Sequence, residues 1–233
     1  MEKIKLNESF FNNKPKYQGH ESTLYLYEES LIKIFNQKDY ELIKNKIAKL
    51  EIISDIKEDI IKPTHLVYMN NNVIGYTMDY KKGYIKAKNI KFKTKNARIK
   101  ILENILNQLE ILHKYGIIYG DIHRSNIIYN MKNEAYLCDL DNVRIGNLDF
   151  DILYMIPKIY RRRISEIDEY MDNYMFNIII ASILYNCHEL RAMDYIYYNK
   201  EAFKEFGDDY LDIIDAMISL NDSSKEKIKT FIK

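Results

Sequence analysis

The 233-residue chain has little of several things that would mark a particular class of protein. Its two cysteines, Cys138 and Cys187, are too few for a disulfide framework and fit a reducing compartment. Its 35 lysines and arginines nearly balance its 34 aspartates and glutamates, so the net charge of +1 gives no global attraction to nucleic acid or anionic lipid. The seven glycines and three prolines do not gather into a linker.

Long apolar runs are also missing. The first eleven residues, MEKIKLNESFF, are charged and lack the apolar stretch of a signal peptide. The most apolar run, 175–185, is interrupted by Asn177 and Ser182 and is too short to span a bilayer. These absences predict a soluble cytoplasmic protein with no membrane segment and no membrane partner.

The first third of the chain combines strand patterns with one helix pattern. Residues 23–27 and 31–35 are rich in aromatic and aliphatic side chains around a short polar turn, which predicts a hairpin. A second hairpin is predicted from 66–69 and 73–78, turned by three asparagines. Between the hairpins, apolar residues recur every three or four positions over 38–53, which is typical of an amphipathic helix.

Helical spacing dominates after residue 80. Leucines and isoleucines follow a helical period over 99–115, and Gly116 is the predicted stop. Two short apolar strands are predicted next, at 126–129 and 135–138. Further helical patterns lie at 174–185, 189–206, 210–220 and 225–232. We therefore expect an α+β chain with a small β-rich N-terminal lobe and a larger, mostly α-helical C-terminal lobe.

The stretch from Ile117 to Ile128 contains candidate catalytic and metal-binding residues. Phosphoryl transfer to a hydroxyl needs a carboxylate that orients the attacking oxygen and accepts its proton, and a nearby neutral oxygen ligand for Mg²⁺. Asp121 and Asn126, five positions apart in one loop, can meet these needs. Asp139 follows the next apolar strand, where a carboxylate could chelate the metal, and Asp141 is its rival.

The motifs that these residues form resemble those of the protein-kinase-like superfamily. Asp121 with Asn126 resembles the catalytic-loop pattern H-R-D-x-x-x-x-N, and Asp139-Leu140-Asp141 stands where D-F-G would fall. Lys33, in Leu-Ile-Lys-Ile, resembles the lysine of V-A-I-K. The motifs occur in the family's order along nearly the whole chain. The resemblance implies a bilobal kinase-like fold, with an N-terminal nucleotide-binding lobe at 1–79 and a C-terminal catalytic lobe at 80–233, that uses ATP and Mg²⁺.

The resemblance also implies a role for each site residue. Lys33 would hold the α- and β-phosphates, and Glu51, 18 positions later on the predicted helix, would orient it. Asn126 and Asp139 would bind the metal, and Asp121 would position the acceptor hydroxyl. Gly19 and Ser22 would cover the phosphates. Adenine would bind at Met78, Asp79 and Tyr80. Asp172 would brace the catalytic loop.

Departures from the family pattern leave the acceptor open. Gly19 stands alone where the family has three glycines, and Tyr119-Gly120 replaces the His-Arg before the catalytic aspartate. His123, two positions after Asp121, is more typical of small-molecule kinases resembling the aminoglycoside and choline kinases. We expect a protein Ser/Thr kinase of bacterial type, with a small-molecule kinase as the runner-up. A non-catalytic ATP-binding pseudokinase and an adenylyl-transferring enzyme are further alternatives.

Two basic clusters interrupt the balanced charge. Residues 81–100 hold eight lysines and one arginine without any aspartate or glutamate, and residues 161–163 are three arginines. Such runs are usually solvated faces. The alternative is a docking surface for an acidic partner or for nucleic acid, which a local concentration of charge permits.

Overall fold

The computed structural model of the chain describes residues 1–19, 21–36, 39–148 and 169–186. Within these residues the protein is α+β, with eleven short strands, three α-helices and several single turns of 3-10 helix. Backbone contacts divide them into two units. The first comprises residues 1–82 with 147–148, and the second comprises residues 83–146 with 169–186.

A six-stranded sheet and one helix, α1 (Tyr40–Ser54), make up the first unit. The strands are β1 (Glu2–Lys5), β2 (Tyr17–Gln18), β3 (Ser22–Tyr27), β4 (Ser30–Phe35), β5 (Pro63–Met69) and β6 (Asn72–Asp79). Their order across the sheet is β1-β5-β6-β4-β3-β2. Both predicted hairpins, β3–β4 and β5–β6, are confirmed, and β4 lies in the middle of the sheet beside β6.

Local chemistry explains where these elements begin and turn. The β5–β6 turn places Asn70 and Asn71 at positive φ, a backbone region that asparagine tolerates better than most residues. Helix α1 begins after Asp39, whose carboxylate accepts a hydrogen bond from the Leu42 amide at 3.2 Å. Strand β1 was not predicted, because its sequence is mostly charged; it pairs in parallel with β5, with Glu2 opposite His65.

One hydrophobic cluster of the first unit lies on one face of the sheet. Tyr25, Ile32 and Val67 are buried there, and the rings of Phe10 and Phe11 pack on Tyr25 with centroids 5.1 and 6.0 Å away. Alternation along β4 sends Ile32 and Ile34 into this face. The residue between them therefore points to the opposite face, and that residue is Lys33.

Two long helices and two small sheets make up the described part of the second unit. Its helices are α2 (Lys95–Lys114) and α3 (Glu169–Tyr185). Its strands are β7 (Ile85–Lys86), β8 (Ile117–Ile118), β9 (Ile127–Tyr129), β10 (Ala135–Leu137) and β11 (Arg144–Ile145). The sheets have the orders β10-β9-β7 and β11-β8, and all pairs are antiparallel.

Helix α2 is the centre of the second unit. It begins four residues before the predicted start because Thr94 caps it, accepting a hydrogen bond from the Ala97 amide at 3.3 Å. It ends as predicted before Gly116, which takes a φ of +68°. Buried Gln108 fastens it to β10, donating to the Ala135 carbonyl at 2.7 Å and accepting from the Leu137 amide at 2.9 Å. The apolar side chains it buries are Ile101, Leu102, Ile105, Leu106, Leu109 and Leu112.

Helix α3 packs against α2 and begins five residues before its predicted start at 174. The helices predicted at 189–206, 210–220 and 225–232 lie outside the described residues. Over the described ranges, none of the helices combines the length and apolarity needed to cross a bilayer.

Candidate functional site

The loop that follows β8 brings Asp121 and Asn126 together. The Asn126 Nδ2 atom donates to the Asp121 carboxylate at 2.8 Å and to the Asp121 backbone carbonyl at 3.2 Å. Asn126 is buried and ends a turn of 3-10 helix, Arg124–Asn126, directly before β9. One tight loop thus holds the carboxylate and the amide that the sequence predicted as partners.

This contact also orients the Asn126 side chain. An ionised carboxylate can only accept hydrogen bonds, so the amide nitrogen of Asn126 faces Asp121 and its Oδ1 atom points the other way. An amide oxygen is a suitable ligand for Mg²⁺. The geometry therefore directs Oδ1 away from Asp121.

Asp172 on α3 holds the beginning of this loop. Its side chain is fully buried and accepts hydrogen bonds from the amides of Tyr119 and Gly120, each at 2.7 Å. His113, near the end of α2, contacts the same carboxylate at 2.9 Å through Nε2 and lies 3.6 Å from Glu169 through Nδ1. The bracing contact predicted for Asp172 is present, and it fixes the backbone two residues before Asp121.

Tyr119 connects the loop to the strand that leads to Asp139. Its ring is buried, and its hydroxyl donates to the backbone carbonyl of Cys138, the residue before Asp139. Burial raises the pKa of Tyr119 well above its usual range, and the charges of Asp121 and Asp139 add to the effect. The hydroxyl therefore stays a donor. Sequence reasoning noted this tyrosine only as a departure from the family pattern and missed this contact.

The β9–β10 pairing brings Asp139 to the Asn126 end of the hairpin. Ile127 pairs with Leu137, and beyond that pair the Cys138 amide donates to the Asn126 carbonyl at 2.8 Å. Asp139 follows at once, is exposed, and adopts a left-handed backbone (φ 64°, ψ 47°) that is costly for a residue other than glycine. Its rival Asp141 is buried in the following 3-10 turn, so Asp139 is the more accessible carboxylate.

His123 also contacts Asp121, although the sequence gave no reason to assign it a role. Its Nδ1 atom accepts a hydrogen bond from the Ser125 amide at 3.2 Å. Proton occupancy is thereby directed to Nε2, which lies 3.5 Å from the Asp121 carboxylate. Neighbouring Arg124 is buried and donates to the carbonyls of Ala87 and Lys88, which anchors the loop from its other side.

Lys33 lies in the first unit, on the central strand β4. Only 5% of its surface is exposed, and its Nζ atom lies 5.9 Å from the centroid of the Tyr76 ring, on the paired position of β6. Gly75 makes this strand pairing possible, because a Cβ at that position would lie 2.0 Å from the Lys33 carbonyl oxygen. The lysine is thus held on a rigid strand.

The face of α1 that points inward carries lysines. Lys46 and Lys49 are buried with Leu50 and Ile53, and the Lys46 Nζ atom lies 5.7 Å from the Phe35 ring centroid. Glu51 is exposed. The burial pattern therefore lends no support to a pairing of Glu51 with Lys33, and the role of Glu51 stays a prediction.

The remaining predicted nucleotide contacts also lie in the first unit. The Gly19 amide donates to the Ser22 carbonyl at 2.9 Å, and Asn36 donates to the Gly19 carbonyl at 3.1 Å, so the loop with a single glycine is a tight, anchored turn. Met78, Asp79 and Tyr80 stand in sequence at the end of β6. Met78 is buried and Asp79 is exposed, and the Tyr80 carbonyl accepts a hydrogen bond from the Lys82 amide at 2.9 Å.

A pocket of about 800 Å³ lies within the first unit, away from Lys33. Ile34 and Phe35 of β4, Ile43 and Ile47 of α1, and residues 71–74 of the β5–β6 hairpin line it. None of the predicted site residues contributes to it.

No group of three or more His, Cys, Asp or Glu side chains that could hold a metal ion is found among the described residues. Magnesium in nucleotide-dependent enzymes is usually bound by one or two carboxylates together with substrate phosphates and water. The predicted donors, Asp139 and the Asn126 amide oxygen, suit that manner of binding.

Neither a scan against protein-family models nor a search of the curated proteins finds a match to this sequence.

Proposed function

We propose that this protein is a kinase-like phosphotransferase that uses ATP and Mg²⁺ to phosphorylate a hydroxyl group. The observation that carries the proposal is the loop containing Asp121 and Asn126, whose side chains are hydrogen-bonded to each other while buried Asp172 holds the loop's backbone. Phosphoryl transfer depends mainly on positioning and charge stabilisation, and a braced loop supplies the first of these.

Each residue has a role in the proposed reaction. Asp121 orients the acceptor hydroxyl and accepts its proton as the oxygen attacks the γ-phosphorus, and the bond from that phosphorus to the β–γ bridging oxygen breaks to release ADP. Asn126 and Asp139 supply oxygen ligands to Mg²⁺, which neutralises charge on the phosphates when bound. Lys33 binds the α- and β-phosphates. Proton acceptance, metal binding and phosphate binding are thus assigned to different side chains.

A protein Ser/Thr side chain is the favoured acceptor. The sequence from Pro157 to Asp172 and the compact helical pattern of the C-terminal tail resemble a protein kinase, whereas small-molecule kinases usually insert larger acceptor-binding helices. A small hydroxylated molecule is the second candidate, and the observation that favours it is His123, which lies 3.5 Å from Asp121 in an aspartate-x-His arrangement.

The test is the intact mass of the purified full chain before and after incubation with Mg²⁺-ATP. Transfer of a phosphoryl group adds about 80 Da, and transfer of AMP adds about 329 Da, because a different phosphorus is attacked. Asp121→Asn should lower the rate by about 10²- to 10⁴-fold, the usual contribution of a general base. Asp139→Asn should raise the Mg²⁺ requirement and lower the rate. Asp55→Asn, which replaces an exposed carboxylate in the first unit, is the matched control and should leave the rate unchanged.

The outcomes separate the candidates. A gain of phosphate that both site variants lose supports the protein kinase. No gain of mass, with ATP consumed only when an aminoglycoside or choline is added, supports the small-molecule kinase. Tight ATP binding without turnover identifies a non-catalytic binding protein, and failure to bind ATP in the presence of Mg²⁺ refutes the proposal as a whole.

A further inference from the structure

The surface around the β9–β10 turn carries apolar side chains that the fold leaves in water. Phe92 is 86% exposed and Met131 is 87% exposed, and nearby Ile85 is 49% exposed. Single exposed apolar residues are ordinary on protein surfaces. A group of them at one place, surrounded by polar residues, marks an interaction surface.

Specific contacts connect the three segments that carry these residues. Lys93 ends the 3-10 helix that carries Phe92, and its Nζ atom donates to the Met131 carbonyl at 3.2 Å. Ile85 of β7 pairs with Tyr129 of β9, two residues before Met131. The 3-10 helix, the hairpin turn and the edge strand are thereby fastened together, and each carries one of the exposed apolar side chains.

Positive charge surrounds this apolar group. Lys91 Nζ lies 4.9 Å from the Phe92 ring centroid, and Lys91 is exposed. Lys88 and Lys132 are also exposed. Glu134 is the acidic neighbour in the hairpin, and Asn130 and Tyr84 donate hydrogen bonds to its carboxylate at 2.5 and 2.9 Å. The amphipathic patch, as we call it, comprises Ile85, Phe92, Met131, Lys88, Lys91 and Lys132.

We propose that the amphipathic patch binds the surface of an anionic lipid bilayer, with Phe92 and Met131 at the headgroup boundary and the lysines against lipid phosphates and carboxylates. The lysines match the anionic headgroups of such a bilayer, and the apolar side chains match the acyl region beneath them. The apolar stems of the lysines can extend along the boundary between the two. Peripheral binding needs no spanning helix, and it departs from the prediction of no membrane partner made from the sequence. It is also independent of the proposed phosphotransfer.

The exposed apolar residues favour a bilayer over nucleic acid. Single-stranded nucleic acid binds to basic grooves that offer a series of aromatic faces for stacking. Met131 and Ile85 have no such face. The ring of Tyr84 is 5.7 Å from that of Tyr136, and its hydroxyl is bonded to Glu134, so within the patch Phe92 is the exposed ring.

The absence of tryptophan from the chain allows a direct test. Phe92→Trp introduces a lone tryptophan into the patch, and Tyr40→Trp introduces one at a 75%-exposed position of the first unit as a matched control. The probes are phosphatidylcholine vesicles with and without about 30% phosphatidylserine, at about 0.1 M salt, where surface attraction still acts over about 10 Å. We expect a blue shift and quenching by brominated lipid for Phe92→Trp with the anionic vesicles, and neither for Tyr40→Trp.

Co-sedimentation of the full chain measures the charge contribution. Lys88→Gln and Lys91→Gln should each weaken binding to anionic vesicles about fivefold, whereas Lys57→Gln on the first unit should have no effect. The proposal is overturned if the wild type does not sediment with anionic vesicles, or if Phe92→Trp binds them without a shift in emission. Binding to a single-stranded oligonucleotide in place of vesicles would also overturn it and assign the patch to nucleic acid.

Discussion

Replacing Asp172 by asparagine tests whether the buried carboxylate holds the loop that contains Asp121. The carboxylate accepts two backbone N–H bonds at 2.7 Å, and bonds of this kind to a charged group contribute about 1.5–3 kcal/mol each. An amide keeps one acceptor but directs its NH₂ group at the second backbone N–H, which leaves that buried donor unpaired. We expect Asp172→Asn to lower the free energy of unfolding by about 2–4 kcal/mol.

The assay is urea unfolding together with hydrogen exchange of individual amides. Loss of one bond should speed exchange at Tyr119 or Gly120 by about 30- to 1000-fold, since 1.4 kcal/mol corresponds to a factor of ten. Glu169→Gln is the control, because Glu169 is 45% exposed and lies 3.6 Å from His113; it should cost less than about 0.5 kcal/mol. If Asp172→Asn costs no more than this control and leaves exchange unchanged, the bracing argument is wrong.

Two further substitutions test the supports of Lys33 and Asp139. Gly75→Ala should lower the free energy of unfolding in urea by more than about 2 kcal/mol, because the new Cβ would lie 2.0 Å from the Lys33 carbonyl oxygen and force β4 and β6 apart. Under the proposed function it should also weaken ATP binding. A loss of stability within about 0.5 kcal/mol would contradict this. Tyr119→Phe should cost about 1–2 kcal/mol, because the Cys138 carbonyl loses its donor. The raised pKa of Tyr119 means that the folded state holds the phenolic proton more tightly than the unfolded state, whose pKa is about 10, so this stabilisation is complete below pH 10 and declines above it. The variant should show a shallower decline in stability between about pH 10 and 12 than the wild type, and equal slopes would contradict the assignment.

Periodicity predicted most of the described elements. The two hairpins and helices α1 and α2 were found close to their predicted positions, because alternation and helical spacing record which face of each element is buried. Boundaries shifted where caps decide them, as at Thr94 on α2. Strand β1 was missed because it is a charged edge strand that offers no apolar pattern and depends on pairing with β5.

The candidate site was predictable in part. Asp121 and Asn126 follow from their spacing in a single loop, since five residues cannot separate them far, and their hydrogen bond is present. Asp139 required the strand pairing to be placed beside Asn126. Glu51 was predicted as the partner of Lys33 from its distance along the chain. In the structure the buried face of α1 near Glu51 carries lysines instead.

The sequence by itself determined which residue types are available and which local elements carry them. It contains the loop with Asp121, the strand with Lys33 and a basic segment without acidic residues, all of which depend on neighbours along the chain. Only the tertiary structure decided that Asp172 lies against the Tyr119 and Gly120 amides, more than 50 residues away, and that Lys93 donates to the Met131 carbonyl. Long-range contacts of this kind depend on how helices and hairpins pack, and the packing is set by the burial of many apolar side chains together.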